Sequence, residues 1–218
     1  MLKKLILVGA SNFGDEIIQL FRDINKQAPS PAWELSGFLD DNAEMHGKVR
    51  NGIPVLGGKR WIEEHDHRDY YFICVIGSPA AKSRVVAYMK QQGVKFASGI
   101  HPSVIMSETS AVGEGTVITA GNILTTNIKV GDHIIINLAC TVGHYTVIGD
   151  YSTINPGANI SGDVSLGEGV LLGTNCTILE KMNVGAYAVI GAGAVVNKHI
   201  PEKVTAVGIP AKIIKLNS

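Results

Sequence analysis

From Ile100 to Val196 a long or branched aliphatic side chain, Met106 included, returns at every sixth residue without a slip. An α-helix cannot produce this, because 3.6 residues per turn carries a six-residue repeat around the axis. A six-residue period is the pattern of a parallel β-helix, in which each hexad forms one short strand of a stacked coil. Three hexads close a triangular coil of 18 residues, so Val112–Pro201 supplies about five coils, roughly 24 Å tall at about 4.8 Å between strands. The recurring aliphatic residue points inward. The fifth hexad position is mostly small (Thr116, Cys140, Ser152, Ala158, Cys176, Ala188), which predicts a tight corner there, and the third and fourth positions face outward.

Residues 1–99 follow other periods. Lys4–Val8 is a short apolar run ended by Gly9-Ala10-Ser11-Asn12-Phe13-Gly14, and Ile17, Ile18, Phe21 and Ile24 then recur at helical spacing until Pro29-Ser30-Pro31. Strand signals at Leu35–Leu39, Ile53–Leu56 and Tyr71–Ile76 and a second helix over Lys82–Lys90, closed at Gly93, complete an alternation of β and α elements. That alternation predicts a small Rossmann-like parallel sheet at residues 1–99, before a β-helix domain at residues 100–218. In the turn Gly9-x-Ser11-x-x-Gly14, glycines and free amides at a helix N-terminus suit a phosphate, and Asp40 ends the next strand where a carboxylate reaches a ribose or base. Nothing else in this half resembles a hydride-transfer domain.

Nineteen basic and nineteen acidic residues leave no electrostatic footprint for nucleic acid or an anionic membrane surface. Cys74, Cys140 and Cys176 sit in apolar runs and read as reduced, buried thiols. No apolar run approaches a bilayer span, and the expectation is a soluble, cytoplasmic protein.

Of seven histidines, His46, His65 and His67 fall in polar stretches, His101 reads as a structural corner, and His133 and His199 read as surface groups at fourth hexad positions. His144 holds the third position of Val142-Gly143-His144-Tyr145 at mid-helix. One coil away in either direction stand Thr126 and Gly162. A glycine against an imidazole leaves a notch with an accessible N–H, and an imidazole titrates where a general base works at neutral pH. On spacing alone His144 is either such a base or an incidental surface histidine. The histidine spacings give no zinc-ligand pattern, and no metal is expected.

Taken together, Leu7-Val8-Gly9-Ala10-Ser11, Gly37-Phe38-Leu39-Asp40-Asp41, Ile76-Gly77, His101-Pro102-Ser103, Asn137 followed by His144, and Val207-Gly208-Ile209-Pro210-Ala211-Lys212 occur in a telling order. By these marks nearly the whole chain resembles the bacterial hexapeptide-repeat sugar acetyltransferases of the sialic acid O-acetyltransferase and bacillosamine-pathway N-acetyltransferase type. The resemblance implies a left-handed β-helix and a homotrimer with active sites between subunits. It implies acetyl-CoA as co-substrate, and a nucleotide-activated amino sugar as acceptor in glycan or surface-polysaccharide biosynthesis. Carried over by position, Ser11, Asn12, Phe13, Asp40, Asp41 and Gly77 would bind the nucleotide sugar. His144 would be the catalytic base, with Asn137 and Tyr145 in the catalytic group, and the Gly162 N–H would meet the acetyl carbonyl. Thr153, Thr174 and Ala192 would contact coenzyme A. The chain departs from the family at two points: the acidic residue that usually follows the catalytic histidine is Tyr145 here, and the Gly-His after the first-turn serine is Asn12-Phe13. The expected reaction is N-acetylation of a nucleotide-linked 4-amino-4,6-dideoxyhexose. O-acetylation of sialic acid or another sugar, and a trimeric nucleotide-sugar-binding scaffold without activity, are the competing readings.

Overall fold

The computed structural model describes residues 2–217. Six strands and three helices form the first domain: β1 (Lys3–Val8), α1 (Asn12–Gln27), β2 (Trp33–Leu39), β3 (Val49–Arg50), β4 (Ile53–Gly57), α2 (Trp61–Glu64), β5 (Tyr70–Cys74), α3 (Pro79–Gln91) and β6 (Lys95–Phe96). The sheet order is β3-β4-β2-β1-β5-β6, parallel except for the β3–β4 hairpin. Successive strands are laid to one side of β1, then β5 returns to its other side. The strand order therefore reverses at the C-terminal end of β1, the crevice where open α/β sheets bind ligands.

Phe96 still belongs to this sheet, and Gly99 already pairs into the β-helix. From there three flat parallel faces stack in strict register, Val117 against Ile135, Leu124 against Val142 and Val130 against Ile148, each pair one 18-residue coil apart. The first face runs from Gly99–Ile100 to Val189–Ile190 and is extended by Val204–Val207 and the antiparallel Lys212–Leu216. The second runs from Ile105–Met106 to Val195–Val196, and the third from Ala111–Val112 to Asn183–Val184. Inward residues such as Ile118, Ile136, Ile154, Leu172 and Ile190 are fully buried in one cluster. Each such side chain contributes about 1.5–3 kcal/mol of burial.

The corners differ from expectation in one respect. The left-handed residue that makes the bend is the fourth of each hexad, not the fifth: every sixth residue from Gly115 to Gly193 has φ between 54° and 76°. Fifth-position residues such as Cys140, Ser152 and Ala158 are instead the buried inner lining of the corner. Glycine and asparagine recur at the fourth position because they tolerate this backbone best, but Ala139, Lys181 and three tyrosines hold it too, which hides the pattern in the sequence.

The first domain sits on the first face. Val117 and Ile135 point outward from that face, yet they are buried in the same cluster as Leu5, Ile17, Phe21 and Phe38. Gly99 lies under α1, where a Cβ would stand 2.7 Å from Leu20 Cδ2. Lys82 of α3 is fully buried at this junction and donates to Ser152 O at 3.2 Å and Thr153 Oγ1 at 3.1 Å. Burial pushes its ammonium down to about 7.

His133 is not a surface group. Its side chain is buried at the corner between the third and first faces, edge-on to Phe96 of β6 at 4.5 Å and stacked on Tyr151 at 5.6 Å. Neither ring nitrogen finds a hydrogen-bond partner among the described residues, and burial, then Lys90 and Lys82, push the imidazole down to about 4. The hexad rule places such a residue outward, and the docked first domain covers it. His199 is exposed, accepting from Asn183 N at 3.0 Å, and His101 pairs with Ser103 at 2.7 Å. No described helix is long and apolar enough to cross a membrane.

Candidate active site

His144 stands at the corner between the second and third faces, on a turn between Thr141–Val142 and Val147–Ile148. Its side chain is about half exposed (52%). The imidazole leans onto the next coil and covers Gly162: a Cβ built there would stand 2.6 Å from Nε2 and 2.8 Å from Nδ1, and closer still to Cε1. The backbone locks the two coils together, with Asp163 N–H donating to His144 O at 2.8 Å. Among the described residues no protein acceptor takes the Gly162 N–H and no donor or acceptor bonds to the His144 ring. The corner thus sets an imidazole nitrogen beside the buried Gly162 amide, neither with a protein partner, the two kinds of group that proton abstraction and oxyanion stabilisation require.

Tyr145 packs edge-on to the imidazole at 5.8 Å, is 60% exposed, and does not hydrogen-bond to it. The nearby carboxylate belongs instead to Asp163, whose Oδ2 lies 4.0 Å from His144 Nδ1. Asn137 does not join His144 within one chain. It lies at the corner between the first and second faces, across the second face, with its Oδ1 accepting from Leu138 N at 2.8 Å. Thr174 and Ala192 stack on that same corner, joined by Gly193 N–H to Thr174 O at 2.8 Å, and both are exposed. Thr153 stands apart from them, buried on the first face beneath Lys82. Cys140 and Cys176 line the corner from inside, their thiols pushed by burial to about 11 and about 12, which removes them as nucleophiles at neutral pH.

A second depression, about 630 Å³, opens at the C-terminal end of β1. Ser11, Asn12, Phe13, Asp40 and Gly77 all line it, so five of the six residues expected to meet a nucleotide sugar converge. Gly14 is required by close packing, since a Cβ would stand 2.8 Å from the Phe38 ring. Ser11 caps α1 without a side-chain bond to the helix, which leaves its hydroxyl for a ligand. Asp40 braces the turn: Oδ2 accepts from Ala10 N at 2.7 Å and Oδ1 from Asn42 N at 2.9 Å. Asp41 turns away to Lys59, at 2.9 Å from both its N–H and its Nζ.

Arg50, from the β3–β4 hairpin, supplies the pocket's cation. It binds Asp15 through Nε at 3.1 Å and Nη2 at 2.6 Å, and Nη2 reaches Asn12 Oδ1 at 3.2 Å. No motif flags this residue, because a two-residue strand carries no periodic signal. Among the described residues no group of three His, Cys, Asp or Glu is placed to hold a metal ion.

Residues 4–89 match the PglD N-terminal domain, and residues 145–180 match the bacterial transferase hexapeptide (six repeats). GDP-perosamine N-acetyltransferase of Escherichia coli O157:H7 is 29% identical over 138 residues, covering 63% of this chain and 61% of that protein. The chain thus aligns with less than two thirds of that relative's length. The acetyltransferase domain of PglB from Neisseria gonorrhoeae FA1090, solved with acetyl coenzyme A, is 28% identical with a TM-score of 0.89 over 98% of this chain and 100% of that one. PerB from Caulobacter crescentus, solved with CoA and GDP-perosamine, shares the fold at a TM-score of 0.89 and 24% identity over 99% of each chain. A PglD-type first domain thus docks on a hexapeptide-repeat prism, the arrangement shared with the acetyltransferase domain of the Neisseria gonorrhoeae PglB.

Proposed function

We propose that this protein is an acetyl-CoA-dependent N-acetyltransferase acting on a nucleotide-linked amino sugar, a 4-amino-4,6-dideoxyhexose, in glycan or surface-polysaccharide biosynthesis. The observation that carries the reading is the His144–Gly162 notch, an unbonded imidazole leaning over an unbonded backbone N–H. GDP-perosamine and coenzyme A, both bound in the Caulobacter crescentus PerB structure, fit a chain with both this notch and a nucleotide-type pocket.

Acetyl-CoA supplies the acetyl group as a thioester. His144 accepts a proton from the sugar's amine as the nitrogen bonds to the carbonyl carbon, while the Gly162 N–H donates to the carbonyl oxygen. The C–S bond then breaks, and His144 returns its proton to the departing sulfur, giving amide and free CoA thiol. No covalent enzyme intermediate is needed. Thr174 and Ala192, stacked on an exposed edge, suit a long ligand such as the pantetheine arm. Ser11, Asn12 and Phe13 at the α1 N-terminus, with Arg50 beside them, suit the diphosphate.

Geometry supports a homotrimer. The first domain covers the first face, whereas His144 stands on the opposite edge of the prism, so the sugar pocket and the base of one chain face different ways. A neighbouring copy packed on the second face could bring its own edge to His144, and would cover Ile105 (65% exposed), Ile123 and Leu138. Holding both substrates in one cleft supplies much of the acceleration.

The deciding experiment measures thiol release from acetyl-CoA against a panel of nucleotide-linked 4-amino-4,6-dideoxy sugars, hydroxyl sugars and sialic acid. Turnover with the amines, lost by about 10²–10⁴-fold in kcat in His144→Asn, is expected. Turnover with hydroxyl acceptors alone would convert the reading to O-acetylation. Nucleotide-sugar binding without turnover on any acceptor would leave a scaffold, and a monomer in sedimentation would remove the intersubunit site.

A further inference from the structure

We infer that Asp163, one coil above Tyr145, is the positioning residue that orients His144, in place of an acidic side chain directly after the histidine. The inference rests on the acetyl-transfer reading for its kinetic consequences only.

The geometry follows from Gly162. Without a Cβ at 162 the imidazole lies across to the next coil, so its polar neighbours are those of that coil and not of its own. Tyr145 follows His144 in sequence, but it presents only its ring edge at 5.8 Å. Asp163 follows Gly162, and its left-handed backbone (φ 56°) and its N–H bond to His144 O at 2.8 Å hold it against the histidine turn. Its Oδ2 lies 4.0 Å from Nδ1, the one carboxylate within that distance of the ring among the described residues. No other ion pair or hydrogen bond claims this carboxylate among the described residues, because Lys181, next above it in the stack, pairs with Glu180 at 3.4 Å. Closing this 4.0 Å gap would let Asp163 accept a hydrogen bond from an Nδ1–H. That contact selects the tautomer whose lone pair is on Nε2, the nitrogen that accepts the amine proton.

Two measurements on the full-length protein test this. The first reads the His144 tautomer by ¹⁵N-detected imidazole NMR without substrates, with the signal assigned by its loss in His144→Asn. The proton should sit on Nδ1 in the wild type and move toward Nε2 in Asp163→Asn. That substitution keeps shape and suits a left-handed residue, so folding is retained.

The second reads kinetics. Asp163→Asn should lower kcat about 10-fold or more while KM for acetyl-CoA stays within about twofold. Asp163→Glu should recover part of the loss. An unchanged tautomer and an unchanged kcat in Asp163→Asn would overturn the inference. A tautomer change on Asp163→Asn, with a wild type that acetylates no acceptor, would uphold it and refute the acetyl-transfer reading.

Discussion

The His144 imidazole rests on the bare α-carbon of Gly162, close enough that an added Cβ would stand 2.6 Å from Nε2. The glycine therefore sets where the imidazole points, and in the proposed mechanism it also donates its N–H. Gly162→Ala should swing the ring into solvent, since a half-exposed side chain moves more readily than the coil. We expect thermal stability close to wild type and kcat lowered about 10²-fold or more. Unfolding by circular dichroism and turnover by thiol release separate the two effects, and a fully active alanine variant would remove Gly162 from the mechanism.

Arg50 reaches the depression at the C-terminal end of β1 already oriented by Asp15 and Asn12. Arg50→Ala should raise KM for the nucleotide sugar about 10-fold or more and leave KM for acetyl-CoA near wild type. Arg50→Lys should recover only part, because a single ammonium cannot hold Asp15 and a diphosphate together. Equal effects on both substrates would point to collapse of the hairpin instead.

Lys82 makes stability depend on alkaline pH. Folded, its ammonium titrates near 7 in place of 10.5, because burial disfavours the charge. Between those values the unfolded chain binds more protons, so this group makes stability rise with pH, by at most about 1.4 kcal/mol per pH unit. Lys82→Met should flatten the rise, read as the wild-type-minus-variant difference in urea unfolding at pH 7.5 and 9. The comparison cancels the buried cysteines, whose raised thiols act the other way. Parallel pH profiles for both proteins would show that Lys82 stays charged when folded.

His133 acts on the acid side. Its folded value of about 4, against an ordinary 6.5, means the unfolded chain takes up the proton first as pH falls. Stability is therefore lost from about pH 6.5 downward. Between pH 7.5 and 5 the wild type should lose about 2 kcal/mol more than His133→Phe, which carries no proton at the same seam. Equal losses would mean that His133 is solvated in solution.

Counting by coils made Gly162 over His144, and Ala192 over Thr174, legible in advance, because a β-helix without insertions converts sequence separation directly into position. The same counting failed wherever a second body intervened. His133, at an outward fourth position, and Thr153 are both buried against the first domain, and no periodicity encodes which of three faces a separate domain covers. With Tyr145 after the histidine, the sequence leaves open which carboxylate stands by His144, because only the lean of the ring over Gly162 brings Asp163 of the next coil to it.

The 18-residue pitch also governs how the His144–Gly162 notch tolerates changes in chain length. Inserting a single hexad between His144 and Gly162 would keep every aliphatic residue inward, yet rotate the glycine and its aspartate by a third of a turn to another edge. Removing residues 145–162, one full coil, would preserve the fold and set Glu180 above His144 in place of Gly162. Length variation that the core cannot detect would thus break the notch when it falls between His144 and Gly162, whereas whole coils added outside the pair leave it intact.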